Sequence, residues 1–234
     1  MTHPGGSGHG ERRPRRPAAA ALLATLAFPL LAASAPSPPA VLDAGLKPYA
    51  GPSTRGIDTK TLTGKVMCGY QGWHAAEGDG CGRGWYHWNG KDGFKPGSCK
   101  FDLWPDVSEL DPDERYATPF KLPDGKPAEV YSAFNAKTVT RHFKWMRDYG
   151  IDGAFVQRFV GEVSNPGGRR QFTTVLANCR AGANLHGRAY AVMYDLSGLG
   201  AASMNKVMDD WKMLVDGMKI TKDPAYLHHA GKPV

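Results

Sequence analysis

The chain has 234 residues, 41% hydrophobic and 22% charged, which is enough apolar content for one sizeable core and outside the range of disordered or collagen-like chains. Its formal charge is +7, of which Arg12, Arg13, Arg15 and Arg16, offset by Glu11, carry +3. The remaining +4 forms no basic stripe interleaved with aromatic residues, so no nucleic-acid partner is expected.

The four arginines precede the apolar run Ala18 to Ala33, AAAALLATLAFPLLAA, which ends in the small residues Ala33-Ser34-Ala35. A charged start, an apolar middle and a small-residue end are the pattern of a secretory signal peptide. The run is shorter than the about 20 residues of a membrane span, and Pro29 interrupts it. Residues 1–35 are therefore expected to direct export, leaving no stable membrane span after cleavage and a secreted or extracytoplasmic chain. Pro36 directly after Ala35 leaves the cleavage position open. Residues 36–60, rich in proline, alanine and glycine without a sustained period, read as a linker.

The elements of the remaining chain, 61–234, follow in order. Val66-Met67-Cys68 is a short apolar strand ending at Gly69, and Ala128 to Phe134 is a second strand. Ala136 to Tyr149 places Val139, Phe143, Met146 and Tyr149 on one helical face. Asn135 suits the N-cap of that helix and Gly150 its left-handed C-terminal position. Gly153 to Val156 reads as a strand buried on both faces, stopping at Gln157-Arg158. Arg169 to Leu185 is a second helix closing at His186-Gly187, and Ala189 to Tyr194 is a strand ending at Asp195. Ala202 to Met218 is a third helix with a wide apolar face, and Ala225 to Val234 leads into a further strand.

Apolar strands alternating with helices indicate a parallel sheet covered by helices. No strand is followed by a GxGxxG or GxxxxGK phosphate loop, which disfavours an open nucleotide-binding sheet. The expected fold class is α/β, of the (β/α)8 TIM-barrel type. A complete barrel takes about 250 residues, so only the N-terminal half is expected in this chain.

Export would place the four cysteines in an oxidising compartment. Cys81 and Cys99 flank a glycine- and aromatic-rich loop and are the disulfide candidate. Cys68 and Cys179, in apolar contexts, read as buried thiols. No CxxC or HxxxH spacing supports a metal site.

In parallel α/β folds the side chains just beyond the C-terminal strand ends form the site. That rule collects Gln71, Trp73 and His74, then Asn135, then Gln157 and Arg158, then Tyr194 and Asp195. The insert after the first strand adds Trp85, His87, Trp88, Asp102 and Trp104. Aromatic faces pack on the C–H faces of a pyranose while amides, imidazoles and carboxylates bond its hydroxyls, so this mixture points to a polysaccharide or oligosaccharide substrate. Each residue also has a plainer role open to it: Trp104 in packing, Arg158 as partner of a structural carboxylate such as Glu162, the insert's acidic residues as loop caps.

The ordered motifs VMCGYQGWH, GWYHWN, FDLWPDVSE, FNAKTVTRHFKWMRDYGIDGAFVQRF and AVMYDLSGL, from about Gly64 onward, resemble bacterial secreted proteins grouped with glycoside hydrolase families 71 and 99. The resemblance implies a (β/α)8 barrel acting on α-linked glycans, with retaining endo-mannosidases and α-1,3-glucanases as relatives, and no metal or organic cofactor. At the catalytic strand the mannosidase branch ends His-x-Glu-Pro-Tyr, whereas this chain reads Met193-Tyr194-Asp195-Leu196-Ser197-Gly198. Asp195 matches a carboxylate position and is the expected catalytic residue. Glycoside hydrolysis usually needs two carboxyl groups, and the second is left open among Asp102, Asp106, Glu162 and the missing half of the barrel. A non-catalytic carbohydrate-binding protein, or an inactive barrel fragment, is the alternative.

Overall fold

A computed structural model of the protein describes residues 45–200 and 203–234. The expected export segment lies outside the described residues. Strand β1 (Met67–Tyr70) is followed by a long insert carrying β2 (Tyr116–Lys121) and β3 (Pro127–Val130). Helix α1 (Ala136–Asp148), strand β4 (Gly153–Phe159), the single turn α2 (Val160–Val163) and helix α3 (Pro166–His186) come next. Strand β5 (Ala189–Asp195) and helix α4 (Met204–Asp216) lead to the two-residue strands β6 (His228–His229) and β7 (Lys232–Pro233).

Strands β1, β4 and β5 form one sheet in that order. All pairs are parallel, with Met67 opposite Gly153 and Phe159 opposite Asp195. Each strand thus lies beside the next parallel strand in the chain, with helices in the crossovers. Tyr226 adds a third parallel contact and a fourth strand position, bridging to Tyr190 on the outer side of β5.

The segment Ala128 to Phe134 departs from the sequence expectation. Its ordered part, β3, pairs antiparallel with β2 in a separate hairpin instead of joining the parallel sheet. The cause is local: Pro123-Asp124-Gly125 makes a tight turn, with Gly125 at φ 83°, so the chain folds back on itself before it can reach the sheet. The four cysteines are free thiols, which corrects the Cys81–Cys99 pairing. Cys81 is buried, its carbonyl accepting from Arg170 at 2.6 Å. Cys99 is exposed on the insert, its thiol turned to the Phe101 carbonyl at 3.5 Å.

Helix α1 starts where its sequence allows. The Asn135 side chain accepts from the N–H groups of Lys137 and Thr138, satisfying two donors left free by helix geometry. Its buried face, Val139, Phe143 and Met146, packs with Leu176, Cys179 and Ala183 of α3 and with Ala154 and Val156 of β4. Gly182 permits the close approach of the two helices, since a Cβ there would stand 2.9 Å from the Phe143 ring.

Registered residues of a parallel sheet share a face, and neighbours along a strand alternate. Cys68, Tyr70, Ala154, Val156, Arg158, Tyr190 and Tyr194 therefore face the helices. Gln157, Met193 and Asp195 lie on the other face, where Met193 is 36% exposed. At the opposite end of the strands, residues 48–66 contain no helix or strand. They are nonetheless tied down, Thr54 to Asn184 at 2.8 Å and Ile57 to Gly187 at 3.1 Å. No helix among the described residues is long and apolar enough to cross a membrane.

Candidate functional site at the strand ends

The C-terminal ends of β1, β4 and β5 bring Gln71, Gln157 and Asp195 to one open depression, completed by Met193, Tyr194, Leu196 and Ser197. The Gln157 amide donates to Asp195 Oδ2, and the Ser197 N–H donates to Oδ1 at 2.8 Å. Hydrogen bonds from Ser197, with Gln157 adding, hold the Asp195 carboxyl below its usual range. At neutral pH it is an anion suited to act as base, nucleophile or hydrogen-bond acceptor, and not as a proton donor.

The loop after β1 supplies the aromatic rim. Gly72 takes a φ of 59°, and a Cβ there would meet Val175 at 2.5 Å, so only glycine turns the chain at this point. The turn presents Trp73, which stacks on His87 with centroids 4.2 Å apart and planes 11° apart. His87 itself sits at φ 63°, a conformation that costs a non-glycine residue about 1–3 kcal/mol and concentrates at functional sites. His74 stacks on Trp88 at 3.9 Å. Burial, with His87 nearby, lowers the His74 pKa to about 4, and burial also lowers that of His87.

One carboxylate that the sequence offered only as a possible partner organises this rim. Glu162, on the turn after β4, accepts from the Tyr86 hydroxyl at 2.6 Å and from Arg83 Nη2 at 2.7 Å. Arg83 lies over the Tyr86 ring at 3.4 Å and donates to Gln171 at 2.7 Å, while Gln171 donates to the Trp73 carbonyl at 2.7 Å. The insert is thereby clamped to α3 through a continuous polar chain. Burial acts to raise the Glu162 pKa, but Tyr86 and Arg83 outweigh it and hold the carboxyl below its usual value.

Other expected site residues are committed elsewhere. Arg158 is fully buried and donates to Asp210 on α4, Nε to Oδ2 at 2.7 Å, so its partner is Asp210 and not Glu162. Tyr194, which faces the helices, donates to the same Oδ2 at 2.6 Å. Asn135 is spent on the α1 cap and on donating to the Asp113 carbonyl at 2.8 Å. Trp88 is 3% exposed and belongs, with Phe94 and Val130, to a small core within the insert against which Trp85 and Trp104 pack. The Trp104 indole is also engaged, donating to the Glu129 carbonyl at 2.7 Å. Asp102 is exposed on the insert surface. These aromatics fill the insert's own interior instead of forming a platform.

Three residues absent from the sequence expectation lie beside the rim: Tyr70, Tyr131 and His142 line a small cavity with Gln71, Trp73 and His74. His142 had a legible signal, since it falls on the same α1 stripe as Val139, Phe143 and Met146 and is the stripe's one polar member. Among the described residues, the one group of three acidic ligand candidates, Asp111, Asp113 and Glu114, is already matched by Lys137 and Arg141.

No family model matches the sequence, and no curated protein sequence does. Among solved structures the chain is similar to a GH99 endo-alpha-mannosidase from Bacteroides thetaiotaomicron in complex with BIS-TRIS-propane, at 15% identity and a TM-score of 0.43 over 74% of this chain and 41% of that one. A second structure of the GH99 endo-alpha-mannosidase from Bacteroides thetaiotaomicron is similar at 16% identity and a TM-score of 0.42, over 74% of this chain and 44% of that one. The chain therefore spans less than half the length of these solved chains.

Proposed function

We propose that this is a carbohydrate-active α/β domain that holds a glycan across the C-terminal ends of its parallel strands, with Asp195 as its reactive carboxylate. The observation that carries the reading is the convergence of Gln71, Gln157 and Asp195 on one depression, beside a rim built on the Trp73–His87 stack. Amides and a carboxylate bond hydroxyls in several directions, and a flat aromatic edge accepts the C–H face of a sugar. The four successive strand positions, β1, β4, β5 and Tyr226, joined by three parallel contacts, are the first half of an eight-stranded barrel in this reading, and residues 1–35 direct export ahead of a linker to about residue 60. The substrate class is an α-linked glycan or plant polysaccharide, and the reaction is hydrolysis of an O-glycosyl bond.

In that reaction Asp195, held ionised, serves as base or nucleophile, and a separate acid protonates the leaving oxygen. Glu162 does not fill the acid's role, because the contacts that hold it below the usual carboxyl range keep it ionised too. This pairing of two anions favours a second reading as well, a glycan-binding domain without turnover. Release of reducing ends from α-mannans, α-glucans and arabinoxylans by the chain and by Asp195→Asn separates the two. The enzyme reading expects a loss of at least about 100-fold in the variant, in line with removal of an essential group. Glycan binding without turnover in both proteins would select the binding reading, and equal hydrolysis by both would remove Asp195 from the mechanism.

A further inference from the structure

We propose that the cavity between β1 and α1, closed by Tyr131 and His142, is a pocket for a single neutral sugar ring at the end of the glycan. It rests on the strand-end reading above, because the cavity and the Asp195 depression share Gln71, so one chain of sugars can continue from one to the other.

Size and chemistry both select such a ligand. The cavity holds about 190 Å³, below the about 300–1,000 Å³ of sites for drug-sized molecules, which matches one ring and excludes several. Its walls include the rings of Tyr131 and Trp73, and its polar groups are amide, imidazole and phenol. None of its lining residues is Lys, Arg, Asp or Glu, so an anionic or cationic ligand would find no countercharge there. Two imidazoles fall short of the three or four protein ligands of a zinc site.

The hydrogen-bonding atoms are arranged with spare capacity. Tyr70 Oη and His142 Nδ1 lie 2.8 Å apart. Burial keeps the Tyr70 phenol protonated, and with no other acceptor among the described residues it donates to Nδ1. The imidazole proton then sits on Nε2, leaving a donor for a ligand hydroxyl. The Tyr131 hydroxyl, on the same cavity, makes no hydrogen bond among the described residues. Burial lowers both imidazole pKa values to about 4, so both rings are neutral from pH 6 upward, in keeping with an uncharged ligand. The His142 Nε2–H and the Tyr131 hydroxyl are therefore the groups open to a sugar hydroxyl in this cavity.

The test is NMR titration of the full chain with methyl α-D-mannopyranoside and methyl α-D-glucopyranoside, and separately with an α-linked tetrasaccharide. Tyr131→Phe keeps the edge contacts to His74 and Trp88 and removes one hydroxyl. It is expected to weaken monosaccharide binding about 5- to 10-fold, the loss of one hydrogen bond. His142→Gln should act in the same direction, and Tyr131→Phe keeps the test decisive if that variant does not fold. Monosaccharide binding weakened by Tyr131→Phe supports the pocket. Tetrasaccharide binding without monosaccharide binding, or monosaccharide binding equal in chain and variant, overturns the pocket and leaves the strand-end reading intact. Monosaccharide binding sensitive to Tyr131→Phe, with no tetrasaccharide contact at Asp195 or Gln157, overturns the strand-end reading and leaves the pocket.

Discussion

Asp210→Asn is expected to destabilise the chain by about 3–5 kcal/mol, the cost of leaving one member of a buried ion pair unmatched. Asp210 is 7% exposed and Arg158 fully buried. The carboxylate takes both the guanidinium and the Tyr194 hydroxyl, so it joins β4, β5 and α4 at one point. Removing its charge leaves a guanidinium in the interior beside Thr173 with no anion. For a domain of this size each kcal/mol moves the melting temperature roughly 2–4 °C, so thermal denaturation should shift by on the order of 10 °C. The double variant Arg158→Met/Asp210→Leu removes both charges and should recover most of the loss, because well-packed apolar replacements of buried pairs are often neutral or better. An Asp210→Asn chain melting within about 2 °C of the parent would show that the pair does not hold the sheet to α4.

Acidification should destabilise the fold well before the carboxylates titrate. Burial lowers the pKa of His142 to about 4, the opposed influences of Glu114 and Arg141 coming second. Burial and His87 do the same to His74. The unfolded chain takes up protons at these sites near pH 6.5 while the folded chain does not until about pH 4. Between those values the unfolded state binds more protons, so stability falls as pH falls. Each histidine should cost roughly 2 kcal/mol by pH 5 and roughly 3 kcal/mol by pH 4. Asp223, whose pKa burial raises, works the other way and offsets part of the loss. Urea denaturation at pH 7 and pH 5 checks this: the midpoint should drop, and His142→Phe should flatten the dependence. Equal midpoints at the two pH values would mean that the imidazoles are not shielded from water.

Much of the fold was legible because it is local. Helix α1 was bounded correctly from Asn135, Gly150 and the apolar stripe between them. Strands β4 and β5 announced themselves as short apolar runs between helix ends and polar residues. The hairpin is not visible in the strand pattern of Ala128 to Phe134 alone, because the Pro123-Asp124-Gly125 turn that precedes it sets the pairing with β2. Site residues were harder, since what a polar strand-end residue does depends on distant partners. Arg158 and Asp210 lie 52 positions apart, and a sequence cannot show that Arg158 turns toward α4 while its neighbour Gln157 turns toward Asp195. The tryptophans of the insert illustrate a second difficulty. Trp85, Trp88 and Trp104 have the composition of a sugar platform, but an insert too distant from the main core has to bury aromatic area of its own. Composition does not distinguish rings packed on one another from rings waiting for a ligand.

A glycan is proposed to lie across the C-terminal strand ends. A second hollow, of about 370 Å³, lies at the other end of the strands, lined by Thr54, Arg55, Asn184, Arg188 and Pro224 among others, which makes the two ends a natural internal comparison. Amide shift mapping during titration with an α-linked mannan or glucan oligosaccharide distinguishes them. Shifts are expected at Gln71, Trp73, Gln157, Asp195 and Ser197 with none at Asn184 or Arg188. Shifts confined to Asn184, Arg188 and their neighbours, with Gln157 and Asp195 silent at saturation, would contradict it.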